Sequence, residues 1–170
     1  DVGRPKAESA AEYVTDLNPD VAVEPRVERV DTDNAVTLVS EYDVVVDASD
    51  NFRTRYLLND VSRLQDTPLV HGAIYRFEGQ ATTLVPDGPC YRCLFPEAPD
   101  PGEVSDGATT GVLGVLPGTI GCIQATEAAK LLLDTGEVLD GRLLFYDAMD
   151  MSFETVPYAA DPDCPVCGDD

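Results

Sequence analysis

The chain has 170 residues and a mass of 18.3 kDa, enough to bury one sizeable core. Eleven Lys and Arg stand against 32 Asp and Glu, and the formal charge of −21 argues against docking on nucleic acid or anionic lipid. Hydrophobic residues make up 44% and fall in compact runs such as Val44-Val45-Val46 and Leu131-Leu132-Leu133, which excludes a disordered acidic tail.

Pro5 suits a helix start, and residues 7–17 hold good helix formers with Ala10, Tyr13, Val14 and Leu17 at helical spacing. Asn18-Pro19-Asp20 stops that helix. Residues 21–30 then alternate like a strand, with Pro25 assigning it to an edge or a bulge. Asp33 or Asn34 can cap a short helix reaching about Glu41. The unalternated valines of residues 43–50 read as a parallel strand buried on both faces. A helix over residues 53–64 and a second buried strand over 68–73 complete a βαβ unit. Residues 77–85 read as a more exposed, antiparallel strand. Residues 117–133 form a long apolar helix closed by Gly136. Residues 142–147 and 152–156 make a last pair of strands. The class is α/β, a mixed sheet with flanking helices.

Four of the five cysteines form two pairs, Cys90-Tyr91-Arg92-Cys93 and Cys164-Pro165-Val166-Cys167. Each pair can give two thiolates to one tetrahedral Zn²⁺, and a four-sulfur shell leaves no open position, so such a metal stabilises and does not catalyse. Disulfides are the alternative, but nothing in the sequence suggests secretion. There is no run of 18 apolar residues and no signal-peptide pattern, so a cytoplasmic location is expected.

A second constellation, Asp47-Ala48-Ser49-Asp50-Asn51, directly follows a buried strand. Open α/β sheets bind ligands at the carboxyl ends of their strands, where acidic groups can hold Mg²⁺ on a nucleotide. Capping of the next helix by Asp50 or Asn51 is the competing reading, and Arg55 falls nearby on that helix. Lys6, one of only two lysines, could contact a phosphate or could simply be a solvated helix-start residue. Lys130 reads as a snorkelling surface lysine, His71 as a buried, neutral, hydrogen-bonded residue with no nearby carboxylate pattern to make it a base, and Cys122 as a small core residue.

These motifs together resemble the MoeB/ThiF-type E1-like superfamily, adenylating enzymes that activate ubiquitin-like and sulfur-carrier proteins. The resemblance rests on Gly3-Arg4-Pro5-Lys6-Ala7-Glu8-Ser9, on Asp47 through Arg55, and on Glu78-Gly79-Gln80. It continues through Pro89-Cys90-Tyr91-Arg92-Cys93-Leu94, Gly111 through Gly118, Gln124 through Lys130, Tyr146-Asp147-Ala148 and the last Cys pair. It implies a Rossmann-like fold with a four-cysteine zinc clip formed by Cys90, Cys93, Cys164 and Cys167. By position, Lys6 resembles the family's ATP-contacting lysine and Asp50 the aspartate supporting Mg²⁺-bound nucleotide, with Asn51 and Arg55 in the same signature. The implied reaction is attack of a partner's C-terminal carboxylate on the α-phosphate of ATP, giving an acyl-adenylate and pyrophosphate. The implied partner is a small β-grasp protein ending in Gly-Gly, and the implied assembly a homodimer.

Two departures from the family pattern stand out. No G-x-G-x-x-G phosphate loop is present, so residues 1–170 are expected to be the C-terminal portion of a single ThiF/MoeB-type domain, binding ATP poorly alone. Gly107 occupies the place where thioester-forming members carry a cysteine, which puts covalent thioester chemistry in doubt. The alternative function is a non-catalytic, zinc-stabilised interaction or dimerisation domain. Finally, 21 Asp against 11 Glu and 9 Arg against 2 Lys resemble the composition of salt-accumulating halophilic archaea.

Overall fold

Pro5, at φ −57°, stands at the start of the first helix, α1 (Lys6–Leu17), as its fixed backbone angle favours. The computed structural model describes residues 1–99 and 111–168, and its contacts divide into two units, Asp1–Val30 and Asp31–Asp170. Within the first unit, Glu8 lies in the favourable first turn of α1, and Arg4 donates to Glu12 at 2.7 Å. The strand expected over residues 21–30 is not formed. Pro25 removes one ladder donor, and no described strand pairs with this segment, so alternation alone has nothing to bond to.

The second unit is built on one five-stranded sheet in the order β1-β2-β3-β4-β5. Its strands are β1 (Val45–Asp47), β2 (Leu69–Tyr75), β3 (Glu78–Leu84), β4 (Arg142–Asp147) and β5 (Ser152–Pro157). β1 and β2 are parallel and the other pairs antiparallel, so the sheet is mixed as expected. Its helices are α2 (Ala35–Val39), α3 (Phe52–Leu64), α4 (Tyr91–Leu94) and α5 (Leu116–Leu132). Asn34 precedes α2, but its side chain accepts from the Asp31 N–H instead of capping the helix.

Leu69 and Ile74 of β2, five residues apart, point to opposite faces and into two cores. On one face Leu69 and Leu84 pack with Tyr56 of α3 and Tyr91 of α4. On the other, Ile74 packs with Leu116 and Ile120 of α5 and with Tyr146 of β4. Two strand expectations are corrected by this arrangement. β1 is only three residues long and lies at the edge of the described sheet, leaving Val46 48% exposed. β3, expected to be exposed, runs through the middle and buries Gly79 and Ala81 through Leu84. Its Thr82 and Thr83 read as surface residues, yet both are buried because their hydroxyls find partners: Leu139 O and Tyr158 for Thr82, Glu127 for Thr83.

The inward face of α5 carries Leu116, Ile120, Gln124 and Glu127. Cys122 lies off that stripe and is exposed, so it is not the core residue its apolar surroundings imply. Lys130 is likewise more than a snorkelling lysine. It pairs with the buried Glu127 and donates to Glu137 O at 2.7 Å. Among the described residues no helix is long and apolar enough to cross a membrane.

Candidate functional site

The turn from β1 into α3 carries most of the chemistry foreseen in the sequence. Asn51 is the N-cap of α3, its side-chain oxygen accepting from the Thr54 N–H at 2.9 Å. Its amide nitrogen also donates to Asp50 Oδ1 at 3.3 Å, so the capping residue orients the neighbouring carboxylate. Arg55, one turn into the helix, donates to Ser49 O at 3.1 Å and lies over the Phe52 ring at 5.2 Å. Asp50 is exposed, and both it and Arg55 line two adjoining cavities of about 400 and 310 Å³. The larger is walled by Phe52, Tyr91, Phe95 and Phe145; the smaller by Gly72, Ile120 and Gln124 among others. Asp50, Asn51 and Arg55 are thus brought together at the carboxyl end of β1, where α/β sheets hold ligands.

Beneath this turn lies a buried network that the sequence reading missed. Asp47 and His71 are direct neighbours in the β1–β2 register, each 1% exposed, with His71 Nδ1 2.8 Å from Asp47 Oδ2. His71 is therefore buried and hydrogen-bonded as expected, but it does have a carboxylate partner. Burial pushes the Asp47 carboxyl up; His71 and the Ser49 N–H outweigh it and hold the group below its ordinary range. Gln124, reaching across from α5, donates to Asp47 O at 2.7 Å and Val70 O at 3.2 Å. The available signal was register: in a βαβ unit the two strands run side by side, which sets Asp47 opposite His71. Three buried polar atoms around the turn, Ser49 Oγ, Arg55 Nε and His71 Nε2, have no partner among the described residues.

The four cysteines converge as their spacing predicts. Cys90 Sγ lies 3.5 Å from Cys164 and 3.9 Å from Cys93, Cys93 lies 3.2 Å from Cys167, and all four sulfurs fall within 4.8 Å of one another. Ligands bound tetrahedrally at 2.3 Å stand about 3.8 Å apart, so this donor set fits one Zn²⁺. The electrostatics agree. Burial pushes the Cys90 and Cys167 thiols up, whereas backbone N–H groups of Val166 and Cys167 overcome burial and bring Cys164 down to about 7. Four crowded thiols cannot all ionise without a cation among them.

The cluster is tied to α3 as well. Arg92 grips Asp60 with two hydrogen bonds of 2.8 and 2.7 Å and lies 4.7 Å above the Tyr56 ring. The Tyr91 N–H donates to Asn59 at 2.7 Å, and the Tyr56 hydroxyl to Phe95 O at 2.8 Å. Tyr91 itself packs edge-on against His71 at 4.9 Å. Of the remaining candidates, Lys6 is exposed in the first turn of α1, within the first unit, and Gly107 lies outside the described residues.

Comparison with known proteins agrees with this architecture. The model of the ThiF family matches residues 1–166. The SAMP-activating enzyme E1 of Haloferax volcanii is 78% identical over 169 residues, which cover 99% of this chain and 63% of that protein. The sulfur carrier protein adenylyltransferase of Thermus thermophilus is 51% identical, covering all of this chain and 65% of that one. The chain therefore spans somewhat under two thirds of the length of these relatives. The crystal structure of E. coli MccB with ATP superposes with a TM-score of 0.80 at 16% identity, over 99% of this chain and 52% of that one, a likeness of fold alone. The mixed sheet, the four-cysteine cluster and the match over residues 1–166 lead to one placement: the chain belongs to the ThiF family.

Proposed function

We propose that this chain is the C-terminal portion of a single ThiF/MoeB-type domain in an enzyme that uses ATP to adenylate the C-terminal Gly-Gly carboxylate of a ubiquitin-like or sulfur-carrier protein. The observation that carries the reading is the Asp50–Asn51–Arg55 cluster, set between two adjoining cavities at the carboxyl end of β1. The names of the relatives, an E1 and an adenylyltransferase, support the same chemistry.

In this reading one carboxylate oxygen of the partner attacks the α-phosphorus of ATP, and the bond to the bridging oxygen breaks to release pyrophosphate. Arg55, with its buried Nε still unpaired among the described residues, is suited to share the charge that grows on the phosphoryl oxygens. Asp50 would hold the Mg²⁺ that accompanies the nucleotide, steadied by the Asn51 amide, and Lys6 would add a point charge on phosphate. Cys90, Cys93, Cys164 and Cys167 would hold Zn²⁺, which supplies a cross-link and no reaction step. The same reading includes a homodimer, which sedimentation of the full-length protein would register at twice the protomer mass.

The test is exchange of labelled pyrophosphate into ATP by the full-length protein, given a small β-grasp protein ending in Gly-Gly. Exchange should depend on that tail and vanish in Asp50→Ala. No exchange by the wild type with any such carrier would instead favour a non-catalytic interaction domain.

A further inference from the structure

We propose that Asp47 and His71 are positioning residues that hold Asp50 in place for the reaction, an inference that rests on the adenylation reading. Among the described residues Asp50 has few anchors of its own: it is exposed, and its carboxylate accepts from the adjacent Asn51 at 3.3 Å. Its location is set through the backbone of the residues before it. Asp47 is the hub of that backbone. One carboxylate oxygen accepts from His71 of β2 and the other from the Ser49 N–H at 2.9 Å, while its carbonyl accepts from Gln124 of α5. The Ser49 carbonyl is taken in turn by Arg55 of α3.

The turn is thus clamped by β2, α5 and α3 together, and Asp50 follows directly on the clamped Ser49. The His71 bond is the one that fixes the carboxylate plane. Without it, the buried Asp47 Oδ2 loses its donor, and the side chain must rotate toward another, releasing Ser49. Displacing a reacting group by about 1 Å can cost on the order of 100-fold in rate, so a loosened turn should register in turnover before binding.

The experiment compares His71→Leu, His71→Asn and Asp50→Ala in the full-length protein by pyrophosphate exchange, with kcat and KM for ATP measured separately. An asparagine amide nitrogen can occupy the place of Nδ1 and donate to Asp47, whereas leucine fills the space without a donor. His71→Leu should lower kcat roughly tenfold to a hundredfold with KM changed by less than about threefold, and His71→Asn should recover most of the loss. If His71→Leu does not fold, His71→Ser, too short to reach Asp47, takes its place.

Wild-type turnover in a folded His71→Leu beside an inactive Asp50→Ala would overturn the proposal while leaving the adenylation reading intact. So would a His71→Asn protein as slow as His71→Leu, because the donor would then not be the agent. Absence of exchange in the wild type would mark failure of the adenylation reading itself.

Discussion

Replacing Cys164 and Cys167 together by serine removes half of the four-sulfur cluster and frees the tail of the chain. Cys90 and Cys164 are 74 residues apart, as are Cys93 and Cys167. Closing a loop of that length removes about 4.5 kcal/mol of conformational freedom from the unfolded chain, by the relation used for covalent cross-links. At roughly 2–4 °C per kcal/mol for a chain of this size, the doubly substituted protein should melt about 10–15 °C below the wild type.

Circular dichroism melts with and without reductant, and in reductant with and without a strong zinc chelator, test this directly. The wild type plus chelator should fall to the melting temperature of the double variant, and the variant should ignore the chelator. Mass spectrometry under native conditions should find one zinc per wild-type chain and none in the variant. A wild type that melts identically with and without chelator would refute the cross-link argument. A drop caused by reductant alone would show that the sulfurs are paired as disulfides.

Two further outcomes concern buried charge. Glu127 accepts from Thr83 and from the Leu139 N–H, both at 2.6 Å, with Lys130 as its counter-charge. Lys130→Met should cost about 2 kcal/mol in urea unfolding, less than for a wholly buried pair because Lys130 is 24% exposed, and adding Glu127→Gln should regain at least half; a neutral Lys130→Met would contradict this. The Asp47 carboxyl is held below its ordinary 3.8, so its contribution to stability is full above that value and is lost as pH falls through the lower folded-state value. The difference in unfolding free energy between wild type and Asp47→Asn should therefore shrink below about pH 4, and a constant difference down to pH 2 would sink the argument.

Features set by local pattern were the ones legible in the sequence. A cap at the Asp50–Asn51 turn, the approximate spans of α3 and α5, the break at Asn18 and the spacing within the cysteine pairs all act over a few residues, and each appears where expected; α5 ends slightly before Gly136, at Leu132, with Asp134 in the left-handed conformation. What escaped depends on partners distant in the chain. Whether Thr82 and Thr83 are buried is decided by Leu139, Tyr158 and Glu127, not by β3 itself. The Asp47–His71 pair exists only once β1 and β2 lie in register, 24 residues apart in sequence. The exposure of Cys122 is hidden because the sheet-facing stripe of α5 includes Gln124 and Glu127, so hydrophobicity does not report the phase of that helix.

Tyr91 sits between Cys90 and Cys93 of the four-cysteine cluster, packs on His71 and walls the larger cavity. Scaffold and pocket therefore share one side chain, and neither can be exchanged as a separate module. A chimaera that takes the cavity of one family member and the cysteine segment of another would join two surfaces that were never fitted to each other. Grafts that keep residues 90–95 with their own α3 should succeed where cuts inside that segment fail.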